Sequence, residues 1–103
     1  MDIENKPEEL ERLAIICKAL SHPARLAILQ TLAQRGTCIC GEIVAAMPLS
    51  QATVSQHLKI LKNAGLIKGE IDAQKSCYCI DTTAMKELRG KFEALFGSLE
   101  NCC

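Results

Sequence analysis

The side chains best able to do chemistry in this chain are its thiols: seven cysteines among 103 residues. They fall as Cys38-Ile39-Cys40, Cys77-Tyr78-Cys79 and Cys102-Cys103, with Cys17 alone. An odd count argues against a fully paired disulfide framework, and close-set thiols in a reducing compartment point to metal binding or redox chemistry. Cys77 and Cys79 fall on one face of an expected strand, opposite Tyr78 and Ile80. Same-face neighbours on a strand lie about 6.6 Å apart with parallel side chains, so a mutual disulfide would be strained. They are read as structural or as a secondary thiol site. Cys17 lies on an apolar helical stripe and is expected in the core.

A second group of side chains suits recognition rather than reaction. Val54, Leu58 and Leu61 recur at helical spacing, and between them run Gln51, Ser55, Gln56, Lys59 and Lys62. Amide and hydroxyl groups suit base edges, glutamine pairing with adenine in particular, while lysines suit phosphates. Gln51, Thr53, Ser55 and Gln56 are the candidate base readers; Ser50, Lys59, Lys62 and Lys75 are the candidate backbone anchors. His57 lies in the same stretch and is read as a helix-packing or phosphate-contacting residue. Net charge is zero, but between His22 and Lys68 the basic residues Arg25, Arg35, Lys59, Lys62 and Lys68 face only Glu42. A basic middle between acidic flanks suits a DNA reader of modest non-specific affinity.

The elements that must position these groups are mostly helical. Nearly half the residues are apolar, but there are only two phenylalanines, one tyrosine and no tryptophan, so the core is built from aliphatic side chains. Leu10, Leu13, Cys17 and Leu20 predict a helix from Glu8 to Leu20. Ser21 is expected to cap a second, with Pro23 in its first turn, Leu26, Leu29 and Ala33 as its buried stripe, and Gly36 as its stop. Ile43, Val44 and Met47 predict a short third helix closed before Pro48. Ser50 caps the fourth, which ends at a left-handed Gly65. The period then changes to two, giving a β-hairpin across the polar turn 72–76. Met85, Leu88, Phe92, Leu95 and Leu99 step by three and four along a terminal helix, leaving an apolar seam that asks for a partner. The expected fold is mainly α with a small hairpin, a winged helix-turn-helix in the order α-α-α-α-β-β-α. It forms one domain over residues 1–103, with an acidic arm at 1–8 and a cysteine-bearing tail at 100–103. No stretch approaches the roughly 20 apolar residues that span a bilayer, and the acidic N-terminus is unlike a signal peptide, so a cytoplasmic protein without membrane partners is expected.

The segments Leu20-Ser-His-Pro-Ala-Arg-Leu-Ala-Ile-Leu29 and Leu49-Ser-Gln-Ala-Thr-Val-Ser-Gln-His-Leu-Lys-Ile-Leu-Lys-Asn-Ala-Gly-Leu-Ile67, followed by a wing, resemble the ArsR/SmtB family of metalloregulatory repressors. The resemblance runs from about Leu10 to Leu99. It implies a homodimer held by the first and last helices, here through Leu10, Leu13, Met85, Leu88, Phe92, Leu95 and Leu99. That dimer would sit on an inverted-repeat operator, with recognition helices about 34 Å apart, and be released by an inducer.

The resemblance also guides the inducer site. The zinc and nickel type uses histidines on the terminal helix, and no histidine follows His57. The arsenic and cadmium type uses a Cys-x-Cys at the start of the third helix, which Cys38-Ile39-Cys40 resembles; the position of a further cysteine is here Ile43. A helix entrance lets an extended Cys38 turn toward Cys40, and its dipole favours thiolate. Cys102 and Cys103 are the natural source of the missing ligands. Three thiolates suit As(III) or Sb(III), and four suit Cd(II), Pb(II) or Zn(II). Two alternatives stay open: a redox or persulfide switch, in which distant cysteines bridge and strain the DNA-binding shape, and a thiol oxidoreductase or metal carrier that does not bind DNA. The latter lacks a Cys-x-x-Cys at a helix start, and nothing in the chain forms an acid–base or nucleophile cluster, so an enzyme is not expected.

Overall fold

The computed structural model describes residues 7–36, 38–40, 49–70 and 77–101. The expected third helix, the hairpin turn with Lys75, and the tail thiols Cys102 and Cys103 lie outside the described residues. Within them the order is α1 (Pro7–Ala19), α2 (Pro23–Arg35), β1 (Ile39–Cys40), α3 (Gln51–Asn63), β2 (Ile67–Glu70), β3 (Cys77–Ile80) and α4 (Thr82–Glu100).

Each helix is delimited by groups that satisfy its terminal backbone. The Ser50 hydroxyl accepts from the Thr53 N–H at the start of α3. At its end the Gly65 N–H donates to the Lys62 carbonyl and the Leu66 N–H to the Leu61 carbonyl. That pair of bonds needs a left-handed residue between, which Gly65 supplies at φ 82°. Leu61 and Leu66 are both buried, closing the turn with an apolar contact. Gly36 ends α2 in the same left-handed region, and Asp81 caps α4 by accepting from the Ala84 N–H.

The cap of α2 differs from expectation. His22, not Ser21, takes the extended cap conformation, and its Nδ1 accepts from the Ala24 N–H at 3.0 Å. The Ser21 hydroxyl instead donates backward to the Lys18 carbonyl. The buried face of α2 also differs: Ile28 and Leu32 are buried, whereas Leu26 is 50% exposed and Ala33 is exposed.

One core joins all four described helices and the sheet: Leu13, Ile16, Ile28, Leu32, Val54, Leu58, Leu61, Leu66, Tyr78 and Leu88 are among its buried members. Removing these side chains from water drives the assembly, at roughly 25 cal/mol per Å² of apolar surface. Lys91 pairs with Glu9 at 3.0 Å across α4 and α1. Cys17, expected in this core, is exposed on α1, because Ile16 occupies the inward position beside it.

The hairpin carries a third strand. β3 pairs antiparallel with β2, Lys68 opposite Cys79 and Gly69 opposite Tyr78, and on its other edge with β1, Ile39 opposite Tyr78 and Cys40 opposite Cys77. Ile39 and Cys40, in the expected helix entrance, are strand paired with β3, and the helix they were expected to lead into lies outside the described residues. Gly69 makes the wing possible. Its φ is 126°, and a side chain there would run into the Cys77 carbonyl and Tyr78 Cα. Gly69→Ala should cost about 1–3 kcal/mol for the backbone conformation alone, with the clash in addition. Urea denaturation measures this, and an unchanged midpoint would refute it.

Candidate nucleic-acid interface and thiol crossing

α3 presents one face to the core through Val54, His57, Leu58 and Leu61, and the other to solvent. Gln51, Thr53, Gln56, Lys59 and Lys62 are exposed, and Ser55 is half-buried. Ser50 and Thr53 are joined through their hydroxyls at 2.9 Å, which fixes both at the helix entrance. Ala52 and Asn63 also lie on the outer face, in line with Gln56 and Lys59 at helical spacing. Ala52 carries no polar group and so gives no recognition signal in the sequence, yet an exposed methyl of this kind is suited to contact with a thymine methyl.

His57 is not part of that outer face. It is 9% exposed, and Arg25 Nη1 lies 3.3 Å from its Nδ1. A guanidinium only donates, so Nδ1 accepts and the ring proton of neutral His57 is on Nε2. The rings of His22 and His57 stand 4.6 Å apart, and Arg25 Nε donates to the Ala19 carbonyl at 2.6 Å. Arg25 therefore holds the C-terminus of α1, where a cation is favoured, against the inner face of α3. Burial pushes the His57 pKa below its ordinary value, and the positive charges of His22 and Arg25 push it the same way. The unfolded chain, with an ordinary histidine near 6.5, binds more protons below that pH. Stability should thus fall as pH drops from about 6.5 through the lowered folded pKa, and His57→Asn should flatten that slope in urea titrations at stepped pH.

The cysteines form a second site. Cys38, exposed immediately before β1, is disulfide-bonded to half-buried Cys79 on β3, across 41 residues of sequence and with Cα atoms 4.4 Å apart. Cys77 is disulfide-bonded as well, and Cys40 is its register partner. The two Cys-x-Cys pairs are thus laid side by side by the β1–β3 pairing. Cys79 bonds across strands rather than to Cys77, as strand spacing requires. Among the described residues no group of three or more His, Cys, Asp or Glu is placed to hold a metal ion. Of the residues expected to form the dimer seam, Leu10 (43%) and Leu99 (59%) are exposed, and Met85, Phe92 and Leu95 are half-buried. Leu13 and Leu88 lie in the protomer's own core, and Phe96, at 56% exposed, joins the outer set.

A capped helix with a polar outer face, followed by a strand pair and seated on a second helix, defines a winged helix-turn-helix DNA-binding protein. A helix-turn-helix domain family matches residues 20–70. An uncharacterized HTH-type transcriptional regulator of Methanocaldococcus jannaschii is 39% identical over 79% of this chain and 91% of its own length. The arsenical resistance operon repressor of Bacillus subtilis is 36% identical over 97% of this chain and 88% of its own. Among solved structures, an ArsR family transcriptional regulator matches with a TM-score of 0.76 over 98% of this chain and all of that one, at 18% identity, a likeness of fold. HlyU from Vibrio cholerae matches with a TM-score of 0.66 at 27% identity, over 88% of this chain and 98% of that one. The chain belongs to the ArsR/SmtB family of transcriptional regulators.

Proposed function

We propose that this protein is a repressor that binds an inverted-repeat operator as a homodimer, and that its affinity is set by the state of the thiols where β1 crosses β3. The observation that carries this reading is the Cys38–Cys79 bridge. It fastens the strand that follows α2 to the wing, so closing or opening it changes how the wing is held relative to α3. α3 would supply base contacts through Gln51, Thr53, Ser55 and Gln56, and backbone contacts through Ser50, Lys59, Lys62 and the wing's Lys75. Exposed Leu10, Phe96 and Leu99, with half-buried Met85, Phe92 and Leu95, supply the apolar seam for the second subunit on α1 and α4.

Bridge formation takes two electrons and two protons from the thiols, and a peroxide accepts them as it is reduced to water. Duplexes recovered by in vitro selection with the reduced protein provide the operator probe. Coupling energies between sites of about 1–3 kcal/mol are typical, so peroxide should weaken operator binding 5- to 150-fold, reversibly with reductant. In Cys38→Ser and Cys79→Ser variants the response should vanish. Equal affinity of the oxidised and reduced wild type would defeat the redox reading.

A second reading is favoured by the juxtaposition of two Cys-x-Cys pairs and by the name of the Bacillus subtilis relative. In it, reduced Cys38 and Cys40, completed by Cys77 and Cys79 or by Cys102 and Cys103, take up As(III) or Sb(III) as inducer, or a four-thiolate ion such as Cd(II), Pb(II) or Zn(II). Adding arsenite and Cd(II) to the reduced operator complex separates the readings: release by either ion supports this one, and retention against both excludes it.

A further inference from the structure

The Cys38–Cys79 bridge forms part of the wall of a cleft of about 430 Å³, lined also by Leu32, Ala33, Lys68, Ile80 and Thr82. That volume lies in the range of small-molecule sites, and most of the lining is apolar. Its cation is not placed at random. Lys68 on β2 is the direct cross-strand partner of Cys79, so the two side chains rise from the same face with Cβ atoms about 5 Å apart. The bridge is also asymmetric: Cys38 is exposed, and Cys79 is half-buried, with Lys68 its cross-strand partner lining the same cleft.

We propose that this cleft receives a small anionic thiol that opens the bridge, with Cys38 as the sulfur attacked and Lys68 as the cation that steadies the departing Cys79 thiolate. The step is an exchange and needs no outside oxidant. The incoming thiolate forms a new sulfur–sulfur bond with Cys38 as the Cys38–Cys79 bond breaks, and Cys79 leaves with the electron pair. A second thiolate then frees Cys38 and departs as the symmetric disulfide, so two external thiols are oxidised as one protein bridge is reduced. The leaving sulfur departs faster when its thiolate is stabilised, which a neighbouring ammonium does. Lys68 also draws an anionic thiol into the cleft ahead of a cationic one.

This proposal rests on the reading of Cys38–Cys79 as the responsive pair, but the exchange is measured without DNA, so either can fail alone. The oxidised full-length protein is mixed with 3-mercaptopropionate or with cysteamine, quenched in acid, and mapped by peptide mass spectrometry. Each rate is divided by that of the same thiol with hydroxyethyl disulfide. The corrected rate should favour 3-mercaptopropionate by about fivefold, the size expected of one charge a few ångströms away in a partly solvated site. The first adduct should be on Cys38. Lys68→Gln, with its fold checked by circular dichroism, should abolish the preference while leaving the bridge formed. An adduct on Cys79, equal corrected rates for the two thiols, or a preference that survives Lys68→Gln would each overturn the assignment.

Discussion

Replacing Cys38 and Cys79 together by serine should lower the free energy of unfolding by up to about 4 kcal/mol, the loop-closure entropy of a lone link spanning 41 residues, and by less to the extent that the bridge at Cys77 already constrains the unfolded chain. For a chain of this length the full value corresponds to a fall of roughly 15–30 °C in the melting midpoint. The double variant is the right probe, because Cys77 is also disulfide-bonded and a reductant would open more than one link. Urea and thermal melts of the oxidised wild type and the variant give the difference directly. Matching curves would mean that the bridge contributes nothing to the folded protein. A loss confined to fast hydrogen exchange in β1 and β3 would place its contribution in the sheet alone.

The second large effect concerns α3. Changing both Gln51 and Gln56 to alanine should weaken operator binding by at least 10-fold and flatten discrimination between operator and unrelated duplex, since each bidentate amide–base pair is worth about 1–3 kcal/mol. Lys59→Ala with Lys62→Ala should weaken both duplexes alike and make the slope of log K against log salt shallower by about 1.8. Fluorescence anisotropy on both duplexes across a salt series separates the two. Glutamine variants that alter only the salt slope, or lysine variants that alter only discrimination, would reverse the assigned roles.

Most of the frame was readable from the residues. α1, α3 and α4 follow from apolar spacing, the hairpin from the change of period, and Ser50, Gly36 and Gly65 from the chemistry of helix ends. β1 was not readable. Two residues carry no periodicity, and their pairing with Tyr78 and Cys77 lies nearly 40 positions away in sequence. Likeness to relatives placed the same residues at the entrance to a helix that lies outside the described residues. The inward face of α2 was obscured because Leu26 to Leu29 are apolar without a break, so spacing alone does not set the phase. The same ambiguity at Ile15, Ile16 and Cys17 put the thiol inside when Ile16 is the buried one. In α3 the polar face was legible as a set, and helix packing was one of two roles open to His57; the contact that settles it inward depends on Arg25, 32 residues upstream.

Arg25 has a consequence for how a paired reader would measure DNA. One guanidinium holds the last turn of α1 and the imidazole of His57 on α3 together. If α1 carries the second subunit, the separation of two reading heads is gauged from that joint. A lysine there would keep the charge and lose the fork that holds both ends. Such a protein would still fold and pair, yet its two heads would be free to tilt, and it would accept half-sites at more than one spacing.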